Sequence, residues 1–346
     1  MKCTNLFLAL LTILQLCSCK YSSENIKYYD ADLKVINVKD KIQNLNILTK
    51  DKDISIFGTP YILNDYLIMS DYKSPDKLIH IFNKNTFKYI TSVGDRGMGP
   101  KEIANMGRIA TDERTNTFYV IDYGQQSILK YPIDSVLSTP NYAPNRDFII
   151  EKHQFPNDFQ YVNDTLSYAL FIQLQPSKND YRPVPAKWNM KTGEVVFMNY
   201  TGHPDIQRKR TSFFASVENG IYVEAYWHHD LLSICDLEGN LKYNLYGEHW
   251  NTKTSNDYRY YKDILFCKNR IVASYLGGKR LTKDNGEITS NYPDKLLFFD
   301  MEGNYVKRLD IGYPIFSMCY DSENNRLIFS LDDETQFGYL NLHDLL

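Results

Sequence analysis

Six asparagine-containing turns recur along the chain, at Asn64, Asn116, Asn163, Asn219, Asn269 and Asn325, with gaps of 52, 47, 56, 50 and 56 residues. Each turn follows a short strand-like run and precedes a stronger one, such as Phe118-Tyr119-Val120-Ile121, Gly220-Ile221-Tyr222-Val223 or Arg326-Leu327-Ile328-Phe329-Ser330. Short β-branched and aromatic runs bounded by turn residues read as strands. A second turn closes the third run of each unit. Two of these, Asp236-Leu237-Glu238-Gly239-Asn240 and Asp300-Met301-Glu302-Gly303-Asn304, are nearly the same in residue type. Asn and Gly there supply the positive φ of tight antiparallel turns. A repeat of this length is a unit that cannot bury its apolar surfaces alone and must stack on its neighbours. Six units of four antiparallel strands therefore predict an all-β six-bladed propeller, each small sheet burying both faces between adjacent blades. A β-sandwich is the alternative architecture, but it gives no reason for a period of this length.

The last unit runs out of chain at Leu346 after three strands. Residues Leu33-Lys34-Val35-Ile36-Asn37-Val38 alternate like a strand and are predicted to close the ring as the outer strand of the sixth blade. The propeller domain is thus expected over 33–346.

The amino end reads as a sorting signal. Met1-Lys2 is followed by an apolar run from Leu6 to Leu16, well short of the ~20 residues that span a bilayer. The run ends in Leu16-Cys17-Ser18-Cys19, which resembles the lipobox of bacterial lipoproteins; a plain secretory signal is the alternative. The resemblance implies that residues 1–18 are a signal peptide, that Cys19 carries lipid, and that 19–32 form a tether. Lys20 stands where an Asp would resemble an inner-membrane retention signal, so the implied address is the bacterial cell envelope, at the outer membrane. Each buried acyl CH₂ contributes about 0.8 kcal/mol to such an anchor.

One stretch carries a second likeness. Gly94-Asp95-Arg96-Gly97-Met98-Gly99-Pro100-Lys101-Glu102-Ile103, then Ile109-Ala110-Thr111-Asp112, Thr117-Phe118-Tyr119-Val120-Ile121-Asp122 and Ser127-Ile128-Leu129-Lys130-Tyr131, resembles an NHL-type repeat. Pro100-Lys101-Glu102-Ile103 replaces that pattern's Gly-Glu-Phe. With the lipobox, the chain is similar to the TolB-like six-bladed propeller lipoproteins. That resemblance implies a fold and an envelope address, and no catalytic residue.

Charge narrows the partners. There are 39 Lys+Arg against 42 Asp+Glu, a formal charge of −3, which excludes a basic nucleic-acid-binding body. The cysteines of the propeller body, Cys235, Cys267 and Cys319, lie in apolar runs and read as buried free thiols, with a Cys267–Cys319 bridge as the alternative.

Strand alternation puts the first and third turns of every blade on one face of the disc. The second loops and the inter-blade crossovers lie on the other, and they are longer: 72–76, 94–106, 123–126, 175–184, 201–212, 227–230, 247–262 and 277–294. Function concentrates on loops held by a rigid scaffold, so this long-loop face is the expected binding face. Its candidate ligand-binding residues are Arg96, Tyr123, Tyr181, Arg182, Trp227, His228, Trp250 and Tyr260. Aromatic rings beside guanidinium groups suit a protein, a peptide or a glycan. In Trp227-His228-His229-Asp230 the adjacent imidazoles point to opposite sides and are not expected to share a metal. Arg208-Lys209-Arg210 reads as a solvated loop rather than an anion site. The Gly94/Gly97/Gly99 loop opens no helix, so it lacks the helix-terminus phosphate site. HExxH, GxSxG, Walker A and EF-hand spacings are absent from the sequence. No catalytic residue, metal or cofactor is assigned. A binding or scaffolding module is preferred to the alternative, a metal-dependent lyase or hydrolase in the central channel, for which Asn64, Asp112, Asp263 and Asp321 are the inner-strand candidates.

Overall fold

The structure is a computed structural model that describes residues 25–50, 52–144, 146–149, 155–175, 180–253, 255–284 and 286–346. Cys19 and the lipobox-like segment lie outside the described residues. Six antiparallel sheets follow one another along the chain. Blade one comprises Thr59–Leu63, Tyr66–Ser70, Lys77–Asn83 and Tyr89–Asp95. Blade two comprises Met106–Asp112, Thr117–Asp122, Ser127–Pro132 and Arg146–Ile149. Blade three comprises Phe155–Asn163, Leu166–Gln175, Asp180–Trp188 and Val195–Phe197. Blade four comprises Thr211–Ser216, Ile221–Tyr226, Leu231–Asp236 and Leu241–Tyr246. Blade five comprises Tyr258–Cys267, Arg270–Lys279, Lys295–Phe299 and Tyr305–Asp310, with a small hairpin, Leu281–Asp284 and Glu287–Ser290, between its second and third strands. Blade six comprises Ile315–Asp321, Arg326–Leu331 and Phe337–Asn341 from the carboxyl end. Among the described residues, helix is confined to short pieces, chiefly Ile47–Lys50 and Ile133–Ser138.

Side-chain alternation explains the assembly. In blade one, Ile68 faces blade two, with Phe118 and Val120, while its neighbours Leu67 and Met69 face blade six, with Ile328 and Phe337. The same division repeats around the ring, so that each pair of adjacent blades encloses its own apolar cluster. A sheet buried on both faces has nearly continuous apolar central strands, as in Thr117–Asp122, Ile221–Tyr226 and Arg326–Leu331, whose residues are all buried.

Three of the six turns meet the expected chemistry at the Asn itself, and two others shift it by one residue. Asn64, Asn116 and Asn325 hold positive φ; in blade four Gly220 does so, and in blade five Lys268 does. In blade three Asn163 acts through its side chain, accepting the Thr165 N–H. Gly239 and Gly303 have φ of 86° and 78°. In both turns the preceding Asp accepts the Asn backbone N–H and side-chain amide, through Asp236–Asn240 and Asp300–Asn304.

The ring closes elsewhere than the alternation of 33–38 predicts. Gln43–Asn44 pairs antiparallel with Phe337–Asn341 and completes blade six. Val35–Asn37 instead lies parallel to the outer strand of blade five, and Ile26–Tyr28 lies parallel to that of blade four. Lys34, with φ of 51°, ends any extended run before Val35. The amino-terminal segment, described from Asn25 onward, is therefore a strap across three successive outer edges. The three thiols are free, with Cys235 and Cys267 buried and Cys319 half-buried.

Candidate functional site

The innermost strands of all six blades line a central cavity of about 440 Å³. Its wall carries charge. Arg108 stands 3.6 Å from Asp263, and Asp263 Oδ2 is buried without a hydrogen-bond partner. Burial pushes the Asp158 carboxyl up to about 6, against the pull of Arg108. Near the long-loop mouth, Lys262 Nζ lies 3.7 Å from the Phe316 ring centroid, and burial lowers its ammonium to about 8. Of the inner-strand candidates only Asp263 lines this cavity. Asn64 bridges to the neighbouring turn at Glu113 and Asn116, Asp112 holds Arg114 and Thr115, and Asp321 is paired with Arg326. Arg108 and Asp158 were missed; their signal was a charged residue within the innermost strand of its blade.

On the long-loop face the eight named candidates separate. Arg96 donates to the Tyr72 and Ser74 carbonyls and so pins the 71–76 loop. Tyr123 is bonded to the Asn157 carbonyl at 2.8 Å. Tyr260 belongs to the core, 6% exposed, between blades four and five. Trp250 packs on Tyr246 and His203 at ring separations of 4.8 and 5.0 Å. Tyr181 is 55% exposed, and Arg182 beside it is half-buried. Trp227 is anchored by its indole N–H to Ser212 Oγ at 2.8 Å, and the Arg259 guanidinium lies 4.9 Å above its ring. His228 bonds the Tyr258 carbonyl through Nδ1, whereas His229 is buried and bonds Asn251. The two imidazoles thus bond different backbone carbonyls.

Asp230 is an anchor for the strap. It accepts the hydroxyls of Tyr29, Tyr261 and Tyr275 at 2.8, 3.1 and 3.1 Å and the His249 N–H at 3.2 Å. Burial raises its carboxyl above the usual range despite these donors.

Arg208-Lys209-Arg210 is not a uniformly solvated run. Lys209 turns inward, 2% exposed, and pairs with Glu224 at 2.5 Å, while Arg208 and Arg210 project to the face. They meet Arg259, Arg280, Trp227 and His228 around a pocket of about 310 Å³, with no carboxylate among the described residues that line it. Trp227 and Arg210 also wall a neighbouring cleft of about 210 Å³ with Ile172, Tyr181 and Pro183. Sequence placed these residues on one face but not in one pocket, because they come from a crossover, two blade-four and blade-five strands and their loops. Among the described residues, the cluster with three groups able to hold a metal is Asp30, Asp32 and Glu248, outside the cavity-lining residues.

Fold and site together define a six-bladed propeller with a charged central cavity and an arginine-rich pocket on its long-loop face. The chain belongs to the family described as 6-bladed beta-propeller (DUF5128), whose model matches residues 30–255. It is similar in structure to a member of the DUF4221 family from Bacteroides vulgatus, at 12% identity and a TM-score of 0.57, covering 82% of this chain and 91% of that one. A Bacteroides fragilis protein inferred to be exported is similar at 14% identity and a TM-score of 0.54, covering 89% and 88%. The extracellular domain of an inferred hybrid two-component system from B. thetaiotaomicron is similar at 12% identity and a TM-score of 0.50, covering 92% of this chain and 36% of that one. These likenesses concern the fold. No curated protein matches the chain.

Proposed function

We propose that this protein is a lipid-anchored propeller of the bacterial cell envelope that binds a protein, peptide or glycan on its long-loop face. The observation that carries the reading is the direction of the strap. Ile26–Tyr28 runs parallel to Leu241–Tyr246, which starts at the short turn 236–240. The chain therefore enters from the short-turn face, and Asn25 bonds the Leu241 carbonyl there. With lipid on Cys19, six residue steps allow a leash of at most about 20 Å. That length keeps the short-turn face toward the membrane and turns the pocket and cleft away from it. The lipobox-like Leu16-Cys17-Ser18-Cys19, the TolB-like resemblance, and neighbours described as exported or extracellular support the address.

The channel favours an enzyme less. Arg108 already supplies a cation beside the Asp158 and Asp263 carboxylates, so the donor set suits an internal ion pair better than a metal. A glycan and peptide array probed with residues 20–346 tests the binding reading. Tyr181→Ala should abolish the signal that wild type gives, and a ligand indifferent to Tyr181→Ala and Trp227→Ala together would remove the face from consideration. Cys19→Ala should release a folded body from membranes; retention in the detergent-dependent fraction would count against the anchor.

A further inference from the structure

We propose that the pocket formed by Arg208, Arg210, Arg259 and Arg280 binds the oxyanion groups of an acidic saccharide, whose sugar ring lies in the adjoining cleft against Tyr181 and Trp227. The proposal rests on the long-loop face being the binding face, and it names the ligand class.

Local structure brings the arginines together. Arg208 and Arg210 alternate about the inward Lys209, and Arg210 is held by donation to the Tyr181 carbonyl at 2.9 Å. Arg259 is opposite Gly278 in the blade-five ladder, where no side chain crowds it. Arg280 follows the same ladder outward, and its Nε–H donates to the Asn256 carbonyl at 3.1 Å. Arg210 and Arg280 are thus directed by backbone carbonyls. Arg259 Nε is buried and has no hydrogen-bond partner, so one donor of the fork waits for an acceptor. Burial and the charge of Arg280 both weaken the hold of Arg259 on its proton, an unfavourable field that an anion between them would reverse.

The size and neighbourhood select the ligand. A pocket of about 310 Å³ exceeds the needs of a single small oxyanion, and forked guanidinium donors suit carboxylate and sulfate groups bidentately. Trp227 and Arg210 belong to both compartments. A ligand that fills both must join anionic groups to a flat, partly apolar ring, and the exposed Tyr181 with Pro183 and Ile172 offers the matching surface.

The test is calorimetric titration of the full chain in detergent micelles at 150 mM salt, roughly physiological ionic strength. The probes are a disulfated heparin disaccharide, its desulfated counterpart and inorganic pyrophosphate. The disulfated sugar should bind at least ~10-fold tighter than the desulfated one. Arg259→Met and Arg280→Met should each weaken it by ~10-fold or more, and Arg280→Lys, which keeps the charge, by less. Tyr181→Ala should weaken the sugar and leave pyrophosphate unchanged. Lys191→Met, an equal loss of charge in a turn of the opposite face, should change neither by more than about twofold. Unchanged melting temperatures confirm that each variant is folded. The proposal is overturned by failure of the disulfated sugar to bind, by equal losses in Lys191→Met and Arg259→Met, or by pyrophosphate matching the sugar with no effect of Tyr181→Ala. An array ligand lost in Tyr181→Ala but retained in Arg259→Met would sink the arginine pocket alone and leave the face as the binding surface.

Discussion

Tyr29 ties the strap to the ring, and the strength of that tie follows from its contacts. Its side chain is buried, edge-on to Phe299 at 5.1 Å and stacked on Tyr305 at 5.9 Å, with its hydroxyl on Asp230 at 2.8 Å. Tyr29→Phe keeps the ring and removes one donor from a buried carboxylate, a loss of about 1.5–3 kcal/mol. Tyr29→Ala removes the packing as well, at about 3–5 kcal/mol for an aromatic truncation. Both act on strap release, so native-state trypsin cleavage at Lys27 and Lys34 is the assay. If opening precedes cleavage as a rapid equilibrium, the rate rises by the same free energy. That is ~10- to ~150-fold for Phe and ~150- to ~5,000-fold for Ala, at about 1.4 kcal/mol per decade. The Phe effect also has a sign with pH. Losing Tyr29 raises the folded-state Asp230 carboxyl further above its unfolded value, so the loss is largest where Asp230 is ionised and shrinks as the pH falls. Cleavage of Tyr29→Ala at the wild-type rate would refute the account of the strap as held through this residue.

Two other perturbations test the interior. Lys209→Met leaves Glu224 buried without its cation and should cost about 3–5 kcal/mol in urea unfolding, most of it recovered by adding Glu224→Leu; equal losses in the single and double variants would contradict a pairing that matters. Asp158 has a folded-state value of about 6, above its unfolded value, so its contribution is fully present below the ordinary carboxylate range and lost as pH rises through about 6. Asp158→Asn should therefore gain on wild type between about pH 4 and 7, and a difference in unfolding free energy that is flat with pH would count against it.

The six-fold repeat was readable because each blade needs apolar residues on both sides and polar turns at fixed intervals, and both requirements write themselves into residue type. The closing strand was not. Gln43–Asn44 pairs through the backbone ladder, supported by the Leu45 N–H on the Phe337 carbonyl, and two polar residues carry no strand signature. Val35 and Ile36 do carry one, yet they sit half-exposed on an outer edge where alternation decides nothing. Loops assigned at 175–184 and 277–294 contain strand in part, because blades three and five extend their ladders beyond the disc. At the site, Tyr181 and Trp227 were legible as aromatic residues on the second loops of blades three and four. The inward turn of Lys209 was not, since its partner Glu224 lies on the next strand, and without that pairing Arg208 and Arg210 cannot be seen to share a side.

The strap also dictates the order in which the molecule can be finished. Asn25, Lys27 and Asn44 meet partners 216 to 291 positions farther along the chain, among the largest loop closures so short a polypeptide can make. During amino-first emergence of the chain, those edges arrive only after most of the polypeptide. The strap therefore stays unpaired until the trailing blades dock and lock it down.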